Sequence, residues 1–113
     1  MAPEILYNEA SYRIMGACFE EQECLGIEFE ERMIFYEEKR ELELTHKGRK
    51  LRKRCEPDFV CFDKIVVELK VGKALADEHL AQLFNYLKAT KIKLGLLVNF
   101  GGYPKLDYER IVN

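Results

Sequence analysis

No stretch of this chain is apolar for long enough to cross a bilayer. The longest nearly unbroken run, Leu94 to Phe100, falls far short of the roughly 20 residues needed to span about 30 Å of hydrocarbon. Nor does a charged-then-apolar leader open the chain, so a cytoplasmic protein with no membrane partner is expected. The four cysteines, Cys18, Cys24, Cys55 and Cys61, form no CxxC pair. Nothing downstream of Cys61 could complete an iron–sulfur ligand set, so they read as reduced, mostly buried thiols. Internal repeats and low-complexity segments are absent. With 48% hydrophobic and 34% charged residues, the composition excludes a disordered chain. Its 113 residues are too few for two self-sufficient cores, which implies one domain over 1–113. No recognition helix or base-reading motif is visible, so the sequence carries no sign of base specificity.

What charge there is lies unevenly. Residues 1 to 46 hold 12 acidic and 4 basic side chains, whereas residues 47 to 113 hold 8 and 14. The most cationic stretch is Lys47, Arg49, Lys50, Arg52, Lys53 and Arg54, which runs directly into Asp58. Cations so placed can follow a phosphate backbone without reading bases. The same residues could also guard an edge strand against unwanted pairing.

Periodicity gives the elements. Asn8 can cap a first helix in which Tyr12, Met15 and Phe19 recur at helical spacing, with Ile14 and Cys18 beside them. Gly26 could end that helix, and Ile27 to Arg32 reads as a short further helical piece or a continuation. Ile34 to Leu44 reads as a strand, a turn follows near His46-Lys47-Gly48-Arg49, and Lys50 to Phe62 reads as extended. After Asp63-Lys64, Ile65 to Val71 is β-rich. Asp77 can cap a helix with the stripe Leu80, Leu83, Phe84 and Leu87; a buried strand over Leu94 to Phe100 and a last strand at Tyr108 to Val112 follow. Helix, three-stranded meander, helix and strand make a small α/β fold with helices covering a sheet.

Three charged residues interrupt otherwise apolar strands: Asp58 after Pro57, then Glu68 and Lys70 around Leu69. Residues two apart share a strand face, so Glu68 and Lys70 project together. A two-residue turn at Asp63-Lys64 would throw Asp58 to the other face, whereas a three-residue loop or a bulge would bring it alongside. Two carboxylates about 4 Å apart repel by roughly 4 kcal/mol at an effective dielectric of 20, which favours a cation between them. Oxygen ligands suit Mg²⁺ or Mn²⁺, and a neighbouring lysine could orient a water, or deprotonate it as the neutral amine, and stabilise charge on a phosphate. Spacing alone equally describes an ion pair between Glu68 and Lys70 on an exposed sheet face.

Pro57-Asp58 followed by Glu68-Leu69-Lys70 resembles the signature of the PD-(D/E)XK nuclease superfamily. Gln82-Leu83-Phe84-Asn85-Tyr86 is similar to the QxxxY element of recombination-associated exonucleases in that superfamily, its two polar tips on one helix flank. Read without that likeness, Gln82 is a solvated side chain and Tyr86 a packing one. Over nearly the whole chain the sequence resembles the GxxExxY protein family of small PD-(D/E)XK domains. The likeness lies in Tyr12 to Ala17, Asp58-Phe59-Val60, Val67 to Lys70, Ala81-Gln82-Leu83, Asn85 to Thr90, Gly95 to Gly101 and Arg110-Ile111-Val112. The segment that names the family is missing, since Leu25-Gly26 passes straight to Ile27-Glu28-Phe29-Glu30-Glu31.

The resemblance implies a restriction-endonuclease-like mixed sheet flanked by helices and a metal-dependent nuclease. Asp58, Glu68 and the Leu69 backbone carbonyl would hold the metal, Lys70 would be the catalytic lysine, and Gln82 and Tyr86 would support substrate or water. Relatives often add a carboxylate from the first helix, for which Glu20 stands before Glu21 and Glu23. The alternative is a silent domain of the same fold that binds nucleic acid or a protein. Loss of the segment should uncover part of the sheet, so a homodimer is expected with Tyr12, Phe19, Ile27 or Phe29 at its interface.

Overall fold

A computed structural model describes residues 7–20, 24–72, 77–101 and 106–113, without the side chains of Lys53 and Cys55. In chain order the elements are α1 (Asn8–Glu20), α2 (Leu25–Glu31), β1 (Tyr36–Glu38), β2 (Leu42–His46), β3 (Arg49–Cys55), β4 (Phe59–Cys61), β5 (Ile65–Lys70), α3 (Asp77–Thr90), β6 (Leu94–Asn99) and β7 (Asp107–Val112). Five strands form one sheet in the order β1-β4-β5-β6-β7, and β2 pairs with β3 apart from it. Only β5 and β6 run parallel, joined through α3. The sheet is thus mixed and flanked by helices.

Each face of the sheet has its own core. On one, Ile14, Met15, Ala17 and Cys18 of α1 and Leu25 and Phe29 of α2 pack on Phe59, Cys61, Ile65, Val67, Leu94, Leu96 and Val98. On the other, Leu83 and Leu87 of α3 meet Val60, Val66 and Leu97. Every residue of β6 is buried, as expected of a strand with a neighbour on either side and a helix on either face. Gly95 permits the close approach of α3, because a Cβ there would lie 3.1 Å from Leu83 Cδ2 and 3.2 Å from Leu87 Cδ1.

Four expectations need correction. The arc that α1 buries is Ser11, Ile14, Met15, Ala17 and Cys18, whereas Tyr12 is 79% and Phe19 59% exposed. Small Ala17 and Cys18 let the helix sit close to the sheet, and the two aromatics fall on its outer flank. Phe29 cannot lie at an interface, since it is fully buried with its ring 5.2 Å from Phe59 and 5.5 Å from Tyr36. Gly26 does not end α1 but lies inside α2, where a Cβ would stand 3.0 Å from Tyr36 Oη. Arg13 ties the two helices together by donating to the carbonyls of Arg32 (2.8 Å) and Met33 (3.2 Å).

The fourth correction concerns the meander. In place of two long strands, one antiparallel ribbon is broken in the middle: Glu38 lies opposite Phe59 in the sheet, and Leu42 lies opposite Cys55 outside it. The pairing frame is the same on both sides of the break, and the Lys39 N–H donates to the Asp58 carbonyl at 3.2 Å. Pro57 has no N–H for a ladder and Lys39 is left-handed (φ 48°), so the ribbon leaves the sheet there. Beyond the break, Leu42 and Leu44 turn onto Val60, Val66, Leu83 and Leu87, which gives them the cover the main sheet does not offer. Farther out a bulge intervenes, because Glu43 faces Arg54 but Thr45 faces Lys50.

Candidate active site

The loop between β4 and β5 has the odd length that brings Asp58 over Glu68. Cys61 pairs with Ile65 and Phe59 with Val67, leaving Phe62, Asp63 and Lys64 as a three-residue loop. Phe62 (φ 55°) and Asp63 (φ 59°) are both left-handed, and the Lys64 N–H closes the turn on the Cys61 carbonyl at 3.1 Å. An ion pair from Arg40 to Asp63 and the Arg13 guanidinium, 5.5 Å from the Phe62 ring centre, help to hold it. Since Val60 and Val66 face α3, the two-residue period puts Asp58, Glu68 and Lys70 on that same face.

There the two carboxylates are locked reciprocally. Glu68 Oε1 accepts the Asp58 N–H at 3.0 Å, and Asp58 Oδ2 accepts the Leu69 N–H at 2.8 Å. Strand β4 pairs only as far as Phe59, so the Asp58 side chain takes a β5 donor that the ladder would otherwise have used. Burial, and then the charge of Asp58, push the Glu68 acid up to about 7, against the pull of the Asp58 N–H and the Lys70 ammonium. Lys70 is half-buried and forms no ion pair with Glu68, so the surface pair that spacing alone allowed is not made. Oδ1 of Asp58 and Oε2 of Glu68 receive no hydrogen bond from the described residues. Two hard oxygen donors so placed suit a divalent cation completed by water and phosphate, whose charge would offset the burial and the repulsion that keep the Glu68 proton on.

Asn99 was passed over in the sequence, where it reads only as the end of an apolar strand. It is 1% exposed and lies across from Lys70 on the parallel neighbour. Its Oδ1 accepts from the N–H groups of Gly72 (3.2 Å) and Gly101 (2.9 Å), and its Nδ2 donates to the Gly72 carbonyl at 3.0 Å. These bonds clamp the chains leaving β5 and β6 at the end where Glu68 and Lys70 stand. Gly101 is needed because any Cβ would collide with the Gly72 backbone.

Helix α3 covers the same face. Gln82 Nε2 donates to Tyr86 Oη at 3.0 Å, Gln82 exposed and Tyr86 half-buried, and among the described residues neither bonds to the acid pair. His79, in the first turn of this helix, was also missed; its Nδ1 is buried without a hydrogen-bond partner. Glu20 is not brought to the pair, because it is exposed at the end of α1, which packs on the opposite face. Glu21 and Glu23 lie outside the described residues. Among the described residues no group of three or more metal-ligating side chains converges. Burial pushes the Cys18 and Cys61 thiols up to about 12, which keeps both protonated; Cys24 is exposed.

The basic run occupies the outer ribbon. Lys50 pairs across the strands with Glu43 and Arg54 with Glu41, each at 3.5 Å, so these two serve the ribbon itself. Lys47, Arg49 and Arg52 are exposed and make no ion pair among the described residues. The side chain of Lys53 lies outside the description.

A sequence profile of the PD-(D/E)XK nuclease superfamily matches residues 6–111. The chain belongs to that superfamily. The crystal structure of a protein named SSO0001 is similar in fold, with a TM-score of 0.58 at 18% identity over 95% of this chain and 60% of that one. The chain therefore spans less than two thirds of that protein's length. No curated protein matches significantly in sequence. PD-(D/E)XK nucleases act on nucleic acid and generally use divalent metals, and in this member β4, the odd loop and β5 hold the acid pair. No helix among the described residues is long and apolar enough to cross a membrane.

Proposed function

We propose that this chain is one nuclease domain that hydrolyses phosphodiester bonds of nucleic acid with Mg²⁺ or Mn²⁺. The observation that carries the reading is the reciprocal lock of Asp58 and Glu68 beside Lys70 on one sheet face. Asp58, Glu68 and the Leu69 carbonyl would hold the cation, which supplies charge neutralisation at the scissile phosphate and a more acidic water. Lys70 orients the attacking water and offsets charge building on the phosphate. Gln82 and Tyr86 support substrate or water from α3. Lys47, Arg49, Lys50, Arg52, Lys53 and Arg54 contact phosphates.

Incubation of the purified protein with single-stranded and duplex DNA and RNA, with Mg²⁺ or Mn²⁺, tests this. Cleavage lost in both Asp58→Ala and Lys70→Ala supports the assignment; cleavage persisting in both overturns it. A second reading, a silent domain that binds nucleic acid or a protein, draws on the presence of only two converging carboxylates among the described residues. It predicts binding without cleavage under every metal condition. We further propose that the chain is a cytoplasmic GxxExxY-type domain shortened after Gly26. Two copies would pair through exposed Tyr12, Phe19 and Ile27, and light scattering at several concentrations would return twice the 13.3 kDa chain mass.

A further inference from the structure

A groove of about 500 Å³ opens between the tip of the ribbon and the C-terminal half of α3. His46, Lys47 and Leu51 line one wall and Asn85 and Lys88 the other, with no acidic side chain on either. The walls are tied together where Thr45 Oγ1 donates to the Ala89 carbonyl at 3.1 Å. Lys47 has no ion pair among the described residues, and Lys88 meets only the ring of Phe84, 5.4 Å from its centre. Leu51 in the wall is 44% exposed, and Phe84, outside the lining but next to the Lys88 ammonium, is 39% exposed. Cations without counter-charges beside exposed apolar surface match a polyanion that carries flat apolar rings. A duplex hides the faces of its bases, whereas a single strand can lay them on an aromatic ring while its phosphates meet lysines. Asn85 lies one turn along α3 from Gln82, so the groove continues the flank of the helix that carries Gln82.

We infer that this groove binds a single-stranded segment of nucleic acid adjoining the bond held at Asp58 and Glu68. That the segment adjoins a scissile bond rests on the nuclease reading; binding in the groove does not. Fluorescence anisotropy with labelled single-stranded DNA, single-stranded RNA and the matching duplex, in EDTA to prevent cleavage, tests it. Either single strand should bind more tightly than the duplex. The double variant Lys47→Glu/Lys88→Glu should lose about tenfold or more in affinity, and its log Kd against log salt should flatten by about 1 to 1.5, since a single strand releases about 0.7 counterion per phosphate contact. Phe84→Ala should lose roughly tenfold with the salt slope unchanged. Circular dichroism establishes that both variants are folded. A duplex bound as tightly as the single strands, or an unchanged affinity and slope in the double variant, overturns the groove. If the double variant binds like the parent while the parent still cleaves, only the groove fails. If groove variants lose binding while the parent never cleaves, the groove stands and the nuclease reading fails.

Discussion

The two faces of the sheet are built from the same strands and do different work. Strand β5 sends Ile65 and Val67, with Leu69 partly buried beyond them, toward α1 and α2, where they join an unbroken apolar core. Its other face begins alike with Val66 against α3 and then changes to Glu68 and Lys70. One face is closed along its length. The other is closed only over its lower half, and where the apolar cover ends the ribbon breaks away, Asp58 enters and Asn99 clamps the strand ends. A small domain can therefore carry an ionisable site without disturbing its core, provided that the site occupies one end of one face.

Substitutions that treat the faces unequally would sharpen or break this contrast. The largest loss of stability should come from the closed face. Phe29→Ala, which removes a fully buried ring packed on Tyr36 and Phe59, should cost about 3–5 kcal/mol in urea unfolding. A loss under about 1 kcal/mol would show that this face is not the main core. On the open face, Asn99→Ala leaves the Gly72 and Gly101 backbone groups without their buried partner. It should cost about 2–3 kcal/mol, and it should reduce any cleavage more than Phe29→Ala does at matched folded fraction.

Next comes a pH effect. In the metal-free protein the Glu68 acid stands near 7 against an ordinary 4.5. Between those values the folded state binds more protons than the unfolded one, so the stability this group contributes is complete at low pH and is lost as pH rises toward 7. Glu68→Gln should remove that slope and stabilise the metal-free protein above pH 7 by about 1–2 kcal/mol, the solvent access of a half-buried carboxylate reducing the full effect. Parallel stability curves for the two proteins across this range would contradict it. Smallest of all, Tyr86→Phe breaks one exposed hydrogen bond to Gln82 and should change stability by less than about 1 kcal/mol, whatever it does to catalysis.

How far the sequence foretold this depends on which interaction decided each feature. Glu68 and Lys70 were legible because two-residue alternation is local, and the odd loop was legible as one of two devices, with a bulge, that bring Asp58 onto the same face. The break at Lys39 and Pro57 was not, since it depends on Leu42 and Leu44 finding cover on α3, a contact between distant segments. The buried arc of α1 was misplaced because Tyr12 and Phe19 repeat at helical spacing as well as Ile14 and Cys18 do, and only the sheet selects between them. Glu20 lies on the other side of the sheet for a related reason: which face a helix covers is not written in the helix. Asn99 and His79 are single polar residues at element ends, and no local pattern separates a clamp or an unpartnered ring from an ordinary boundary.

The central claim is that Asp58 and Glu68 form one site for a divalent cation. Calorimetric titration of Mg²⁺ or Mn²⁺ into the protein at pH 8, repeated with Asp58→Ala and Glu68→Gln, addresses it directly. The account predicts a single binding event in the parent that either substitution abolishes or weakens by about tenfold or more. Equal binding in the parent and both variants, or none in the parent at millimolar metal, would contradict it.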